Sequence, residues 1–164
     1  MTFVDTATGA RTELSATSVE NAAAKIANAL RDEFDLDVGA VVGLFLPVHW
    51  QRAAWCAGVW TAGCVVAPDA READLVVAGP DEAIALAAGR DVLVVSLHPF
   101  GLPIAEPLPA GAEDVTLTVR QQPDAYLFDP PMPRYPALRL PDGGRDLDQA
   151  AVLARAAERG EAWG

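Results

Sequence analysis

The hydrophobic positions in the first part of the chain repeat at helical spacing. Over residues 17–34, apolar side chains recur every three or four positions, which predicts a helix with one buried face. Ser15 or Thr17 would cap this helix, and Glu20 would complete a capping box after Thr17. The inward positions are Val19, Ala22, Ala23, Ile26, Ala27, Leu30 and Phe34.

Short strand-like runs and longer apolar runs lie on either side of this helix. Phe3–Asp5 and Arg11–Leu14 precede it and predict a small hairpin. After it, the unbroken apolar run at 41–46 indicates a strand buried on both faces. A helix over 49–62 and a strand at 64–67 follow, so this unit is predicted to be a right-handed parallel crossover. Trp50, Trp55 and Trp60 cannot share one helical face, so at least one should lie in the core and at least one could mark an interaction surface.

The remaining patterns complete an α/β arrangement. Strands are predicted at 74–78, 91–97, 115–119 and 124–128, helices at 80–88 and 146–161, and an ordered proline-rich loop at 99–114. The inward side of the last helix is predicted to be Leu147, Ala150, Ala151, Leu153, Ala154 and Ala157. This order predicts an open, mainly parallel α/β sheet flanked by helices, with an N-terminal β-hairpin.

We expect a single domain over 1–164, with three parts. An α/β part covers 1–97, proline-rich loops and short strands cover 98–145, and a C-terminal helix covers 146–162. A chain of 164 residues, 51% of them hydrophobic, is sufficient for one core. Because the sequence ends on this helix, we expect either a truncated chain or an unpaired sheet edge that a second copy covers to form a dimer.

The charge of the chain narrows the classes of partner. The formal net charge is −11, which repels phosphate backbones and anionic lipid, so we expect neither nucleic acid nor membrane as a partner. Lys25 is the only lysine, so chemistry that needs a lysine amine elsewhere lacks its residue. Cys56 and Cys64 are the only cysteines, and the start of the chain carries no signal-peptide pattern, which favours a cytoplasmic location.

The run from Thr12 to Pro68 resembles the opening of the AMP-binding, adenylate-forming enzymes, the superfamily of acyl- and aryl-CoA ligases. Val19–Leu30, Gly39–Pro47 and Ala62–Pro68 are the counterparts of that superfamily's first helix, first buried strand and "A-G-A-V-x-x-P" segment. LPVHWQRAAWCAGVWTAG, VVSLHPFGLP and the tail LDQAAVLARAAERGEAWG resemble more closely an uncharacterised actinobacterial family related to the N-terminal part of these enzymes.

The resemblance breaks down at the phosphate-binding loop. In adenylating enzymes, a strand of the form "A-Y-x-x-Y" leads into a loop of the form "T-S-G-T-T-G-x-P-K-G", whose amides and lysine hold the ATP phosphates. DAYLF at 124–128 matches the strand, but 129–136 reads DPPMPRYP. Prolines lack the amide donor, no glycine is present, and Asp129 adds a negative charge. The later motifs of the family, with its acidic metal ligand and catalytic lysine, have no room in this chain.

Five residues are candidates for a ligand site. His98 follows the strongest strand, where open α/β sheets place ligands, and His49 begins a helix, where it could hold an anion or simply stack at a sheet edge. Tyr126, Arg134 and Tyr135 lie at the rim of the former phosphate loop. Cys56 and Cys64, eight residues apart without a nearby His, are interpreted as buried apolar residues, and we expect no metal site and no cofactor.

These observations favour a non-catalytic binding or assembly module. We expect a homo-oligomer, a protein partner or a small acidic metabolite as its partner. Two alternatives remain open at this point: part of an adenylate-forming site that another subunit completes, and a small enzyme that uses His98.

Overall fold

The computed structural model of the protein describes residues 1–6, 9–87, 89–141 and 146–161. The strands are β1 (Thr2–Val4), β2 (Arg11–Glu13), β3 (Val41–Phe45), β4 (Val65–Ala67), β5 (Leu75–Ala78), β6 (Val92–Val94), β7 (Ala112–Asp114), β8 (Pro136–Leu138) and β9 (Leu147–Asp148). The helices are α1 (Ala16–Asp32), α2 (Trp50–Thr61), α3 (Pro80–Leu86), α4 (Thr116–Gln121) and α5 (Gln149–Glu161), and a 3₁₀ turn covers Ala70–Glu72.

The strands form a hairpin and one larger sheet. β1 and β2 pair antiparallel, with Phe3 opposite Thr12. In the described part of the chain, the larger sheet has the order β7-β6-β5-β3-β4-β8-β9. Its neighbours pair in parallel, except β8 and β9, which are antiparallel. The predicted fold class, a mainly parallel α/β sheet with an N-terminal hairpin, is therefore confirmed.

Helices cover the sheet on both faces. α1 and α2 pack over one face, where Ile26, Leu30, Trp55 and Val59 join the strand residues in the main core cluster. α3 packs on the other face with β5 and β6 in a second, smaller cluster. Trp55 is 1% exposed, so the expectation that one tryptophan of this helix lies in the core is confirmed.

The start of α1 distinguishes between the two predicted caps. Ser15 is the cap, because its Oγ accepts a hydrogen bond from the Ser18 amide at 3.0 Å. The helix therefore begins before the capping box predicted at Thr17 and Glu20. Its buried face includes Ala23, Ile26, Ala27 and Leu30, as the periodicity predicts.

The strand predicted at 115–119 is wrong, because these residues lie mainly in α4. Val115 and Val119 are four residues apart, a spacing that fits a strand alternation and a helical turn equally well. The Val119 amide donates to the Val115 carbonyl at 3.0 Å, as in a helix. Leu117, which a strand would also have buried, is 53% exposed. The Asp114 carboxylate accepts from the Thr116 amide at 2.9 Å, so the chain leaves β7 and turns directly into the helix.

The C-terminal helix begins later and is more exposed than predicted. Asp148 ends the short strand β9, and its carboxylate accepts from the Ala151 amide at 2.7 Å. Leu147 and Ala151 are half-buried, but three of the predicted inward positions, Ala150, Ala154 and Ala157, are exposed. Leu153 is 66% exposed, so the prediction for this face is wrong except at Leu147 and Ala151. The predicted end of the segment, at 162–164, lies outside the described residues.

The helices α1 and α2 pack closely together at Gly58. A Cβ atom placed on Gly58 would lie 2.5 Å from Ile26 Cγ2 and 3.1 Å from the Ala23 carbonyl oxygen. Real side chains do not pack so closely, so the glycine allows the contact between the two helices.

We expect Gly58→Ala to lower the free energy of unfolding by about 1–3 kcal/mol, despite the higher helix propensity of alanine, because the core must move apart. Urea denaturation of the purified protein measures this change. In an Ile26→Ala background, which removes Cγ2 but keeps Cβ at 2.6 Å, the same glycine substitution should still lower stability, though by less. A Gly58→Ala variant as stable as the wild type would contradict the close packing.

Candidate functional site

The five sequence-predicted site residues lie in three separate places. His49 caps α2, His98 follows β6, and Tyr126, Arg134 and Tyr135 belong to the segment between α4 and β8. Among the described residues, no hydrogen bond, ion pair or ring contact joins any two of these five side chains. Each of the three places therefore has its own set of neighbours.

His49 holds the start of α2 against the N-terminal hairpin. Its Nδ1 accepts a hydrogen bond from the Gln51 amide at 3.3 Å, and its ring meets the Phe3 ring edge-on with centroids 4.7 Å apart. Burial lowers the pKa of His49, while the nearby Asp5 carboxylate opposes that shift. This geometry matches the stacking interpretation of His49, because the capping nitrogen is already occupied.

The titration of His49 makes part of the stability depend on pH. Because its folded-state pKa is lowered, the unfolded chain binds the proton more readily, and stability falls as the pH drops below the ordinary value of about 6.5. We expect His49→Asn, which keeps a capping side chain without the titration, to reduce this loss. Thermal unfolding between pH 7.5 and 5 measures it, and His98→Asn is the control that should keep the wild-type decline. An unchanged slope in His49→Asn would contradict the assignment.

His98 organises a turn at the carboxyl end of β6. Its Nδ1 accepts from the Phe100 amide at 3.1 Å, and its carbonyl accepts from the Gly101 amide at 2.9 Å. The side chain is exposed. Neither Ser nor Cys is in hydrogen-bond contact with its ring within the described residues, so the structure provides no activated nucleophile next to it.

The segment predicted as a strand at 124–128 is irregular, and this prediction is wrong. Its backbone bonds to a side chain rather than to a neighbouring strand. Asn28 of α1 is fully buried, and its Nδ2 donates to the carbonyls of Pro123 and Ala125 at 3.2 and 2.9 Å. The Leu127 amide donates to Asn28 Oδ1 at 3.1 Å. The Asn28 side chain therefore satisfies three backbone groups that a strand partner would otherwise satisfy.

The sequence alone does not identify the structural role of Asn28. The available signal is weak: a single amide within the alanine-rich stretch AAAKIANAL, next to positions that belong to the buried face. Asparagine is rare in fully buried positions unless it is bonded, so its burial in this stretch would have indicated a structural partner.

Substitution of Asn28 should release this segment. We expect Asn28→Ala to lower the free energy of unfolding by about 2–3 kcal/mol, because two carbonyls and an amide lose their partner in a buried place. Asn21→Ala, two helical turns earlier on α1, is the matched control and should change stability by less than about 0.5 kcal/mol. Chemical denaturation of both variants measures the difference. Equal effects of the two substitutions would contradict the role of Asn28.

The only lysine is also used to join α1 to this region. Lys25 Nζ donates to the Gln122 carbonyl and, at 3.2 Å, to the Arg120 carbonyl at the end of α4. It also forms an ion pair with Asp124 at 3.1 Å. Since these carbonyls lie at the C-terminal end of a helix, the cation also interacts favourably with the helix dipole.

The proline-rich segment 129–136 closes the start of α5. The Tyr135 carbonyl accepts from the Gln149 amide and the Pro133 carbonyl accepts from the Ala150 amide, both at 3.2 Å. The Tyr135 amide donates to the Met132 carbonyl at 2.9 Å. Arg134 is exposed and Tyr135 is half-buried. This segment therefore supplies acceptors to the first amides of α5, which would otherwise lack partners.

Tyr126 lies at the junction of these contacts. Its ring is 5.6 Å from the ring of Phe128, and the Arg31 guanidinium lies 5.4 Å from the centre of the Phe128 ring. Burial raises the pKa of the Tyr126 phenol, and the positive charge of Arg31 partly offsets this. The phenol therefore stays protonated at neutral pH.

The structure contains a cavity that the sequence did not predict. It has a volume of about 380 Å³ and lies between the N-terminal hairpin, α1, α2, the end of β6, the turn after His98 and α4. Its walls are mainly apolar, and its charged lining residues are Lys25 and Arg120. None of the five predicted site residues lines it, although Trp50 and Pro99, the neighbours of His49 and His98, do. Because its walls come from six separate parts of the chain, no local motif could indicate it.

The cysteines carry no metal site in the part of the chain that the structure describes. Both are free thiols, and no group of three or more His, Cys, Asp or Glu side chains there is arranged to hold a metal ion. Burial raises the pKa of Cys64 to about 11, so this thiol is protonated at neutral pH. None of the helices in the described ranges is both long and apolar enough to cross a membrane.

Comparison with solved structures identifies the fold as that of acyl-CoA synthetases. An acyl-CoA synthetase of Brucella canis matches with a TM-score of 0.73 and 22% identity, over 93% of this chain and 31% of its own. Apo MatB from Rhodopseudomonas palustris matches with 0.67 and 18%, over 99% and 34%. The acetoacetyl-CoA synthetase from Streptomyces lividans matches with 0.60 and 16%, over 79% and 23%. At these identities the likeness shows the fold alone.

A relative at higher identity is a TIGR03089 family protein from Mycobacterium tuberculosis. The two are 42% identical over 127 residues, which cover 73% of this chain and 52% of that protein. The chain thus spans about half the length of this relative. No protein-family model matches the chain. The resemblance to the N-terminal part of AMP-binding enzymes, and to an uncharacterised family, is therefore confirmed.

Proposed function

We propose that this chain is a non-catalytic relative of the N-terminal region of acyl-CoA synthetases that works as a binding module. Its fold is that of the synthetases, but the segment at the place of their phosphate loop has a different use. The observation that carries the proposal is that the backbone of 123–135 bonds to Asn28 and to the first amides of α5.

A phosphate-binding loop needs free amide donors and a positive charge. Four of the eight residues at 129–136 are prolines, which have no amide hydrogen. The amide of Tyr135 is bonded within the loop, and Asp129 contributes a negative charge. The single lysine is bonded to the carbonyls at the end of α4 and paired with Asp124. These features favour binding without adenylation.

The further parts of this proposal concern location and partners. The two free cysteines support a cytoplasmic protein. Binding of a second copy or of another protein at a sheet edge stays a prediction. Binding of a small acidic metabolite is likewise a prediction. In the described part of the chain the sheet ends at β7, in which Glu113 is exposed, and at β9, and such a copy would cover one of these two edges.

Calorimetric titration of the protein with ATP and Mg²⁺ tests the absence of a nucleotide site. We expect no saturable heat at millimolar nucleotide, because the loop offers few amides and no nearby lysine. An acyl-CoA synthetase in the same buffer is the positive control.

Saturable heat would contradict the proposal. Two variants then locate the binding: Arg134→Gln changes the exposed cation on the loop, and Arg155→Gln changes an exposed cation on α5. Heat that is lost in the first variant and kept in the second would assign the nucleotide to the loop.

A further inference from the structure

The cavity of about 380 Å³ lies away from the segment that replaces the phosphate loop. Its volume is within the range of small-molecule sites, about 300–1,000 Å³. α1 contributes Ala22 and Ile26 to its wall, α2 contributes Trp50 and Trp55, and the turn after His98 contributes Phe100, which is 84% exposed. Three of these five side chains are aromatic, so flat apolar surfaces line both the interior and the opening.

The charged side chains that line the cavity are both positive. No aspartate or glutamate lines it, although the chain as a whole carries a net charge of −11. Of its two cations, Lys25 is already paired with Asp124 and bonded to carbonyls at the end of α4. Arg120 differs, because its guanidinium has no carboxylate partner in the described residues and makes only a long contact of 3.4 Å to the Gly101 carbonyl.

Arg120, which has no carboxylate partner in the described residues and lies beside an apolar cavity, would favour ligands of one charge over others. A cationic ligand would be repelled by both Lys25 and Arg120. A neutral apolar ligand would gain only from the walls, whereas an anion would also form a charge-assisted hydrogen bond to Arg120.

We propose that this cavity binds a small aromatic molecule with one negative charge, its ring system between α1 and α2 and its anionic group at Arg120. The proposal rests on the binding role proposed above and names its site and ligand class. The neighbouring aromatic walls favour a flat ring, and the single available guanidinium favours one anionic group.

The test uses 1-naphthoate as the probe and 1-naphthalenemethanol as its neutral counterpart. We expect naphthoate to bind at least about fivefold more tightly, which corresponds to one partly exposed ion pair. Calorimetry measures both dissociation constants. In ¹H–¹⁵N spectra, the indole signals of Trp50 and Trp55 should shift, while that of Trp60, which is bonded to the Ala137 carbonyl and does not line the cavity, should not.

Three variants assign the binding to this site. Arg120→Gln should remove the preference for naphthoate and leave naphthalenemethanol binding within twofold, and Arg155→Gln on α5 is the matched control that should change neither. Ala22→Leu fills the cavity and should abolish binding of both probes, with circular dichroism confirming that the variant is folded.

Absence of naphthoate binding at millimolar concentration would overturn the proposal. Equal affinity for the two probes, or unchanged binding in folded Ala22→Leu, would also overturn it. These outcomes are separate from the nucleotide titration: saturable heat with ATP contradicts the non-catalytic role but leaves the cavity result unchanged, and failure of naphthoate leaves the nucleotide result unchanged.

Discussion

The buried amide of Asn28 determines how the second half of the chain meets the first. It lies on α1 between residues of the main core, and it bonds backbone groups of a segment more than 90 residues later. A buried amide must find partners for its donors and its acceptor, and an irregular segment must find partners for its backbone. The Asn28 side chain and the backbone of the segment satisfy each other's hydrogen-bonding groups, so α1 and the segment are held together.

The contacts around this interaction follow from that arrangement. With residues 123–127 held on α1, Lys25 reaches the end of α4, and 129–136 passes on to meet the first amides of α5. The same placement of α4 against α1 leaves an apolar space beneath Arg120. Segment 129–136, which we propose stands in place of a phosphate loop, therefore serves as a structural connection, and the cavity lined by Arg120 lies apart from it.

The sequence predicts the elements whose signals are local. The apolar run between Gly39 and Pro47, and the small-residue helix that follows it, identify β3, α2 and β4, because strands buried on both faces have few alternatives. Val115 and Val119 could not distinguish a strand from a helix, since their spacing fits both. The segment at 124–128 resembled a strand because its apolar residues are typical of one, but its partner is a distant side chain.

The candidate site was less predictable than the fold for the same reason. His49 and His98 were selected by their positions at element ends, and both use a ring nitrogen to accept a local backbone amide. In the sequence, such local use and ligand binding give the same pattern. The cavity depends on the distances between α1, α2 and α4, which no spacing in the sequence encodes.

The most direct test of this account is amide hydrogen exchange of the 123–135 segment, measured by NMR with and without ATP and Mg²⁺. The account predicts that the Leu127 amide is protected through its bond to Asn28, and that the nucleotide changes neither this protection nor the signals of the 129–135 amides. Rapid exchange at Leu127, or signals in this segment that shift saturably with nucleotide, would contradict it.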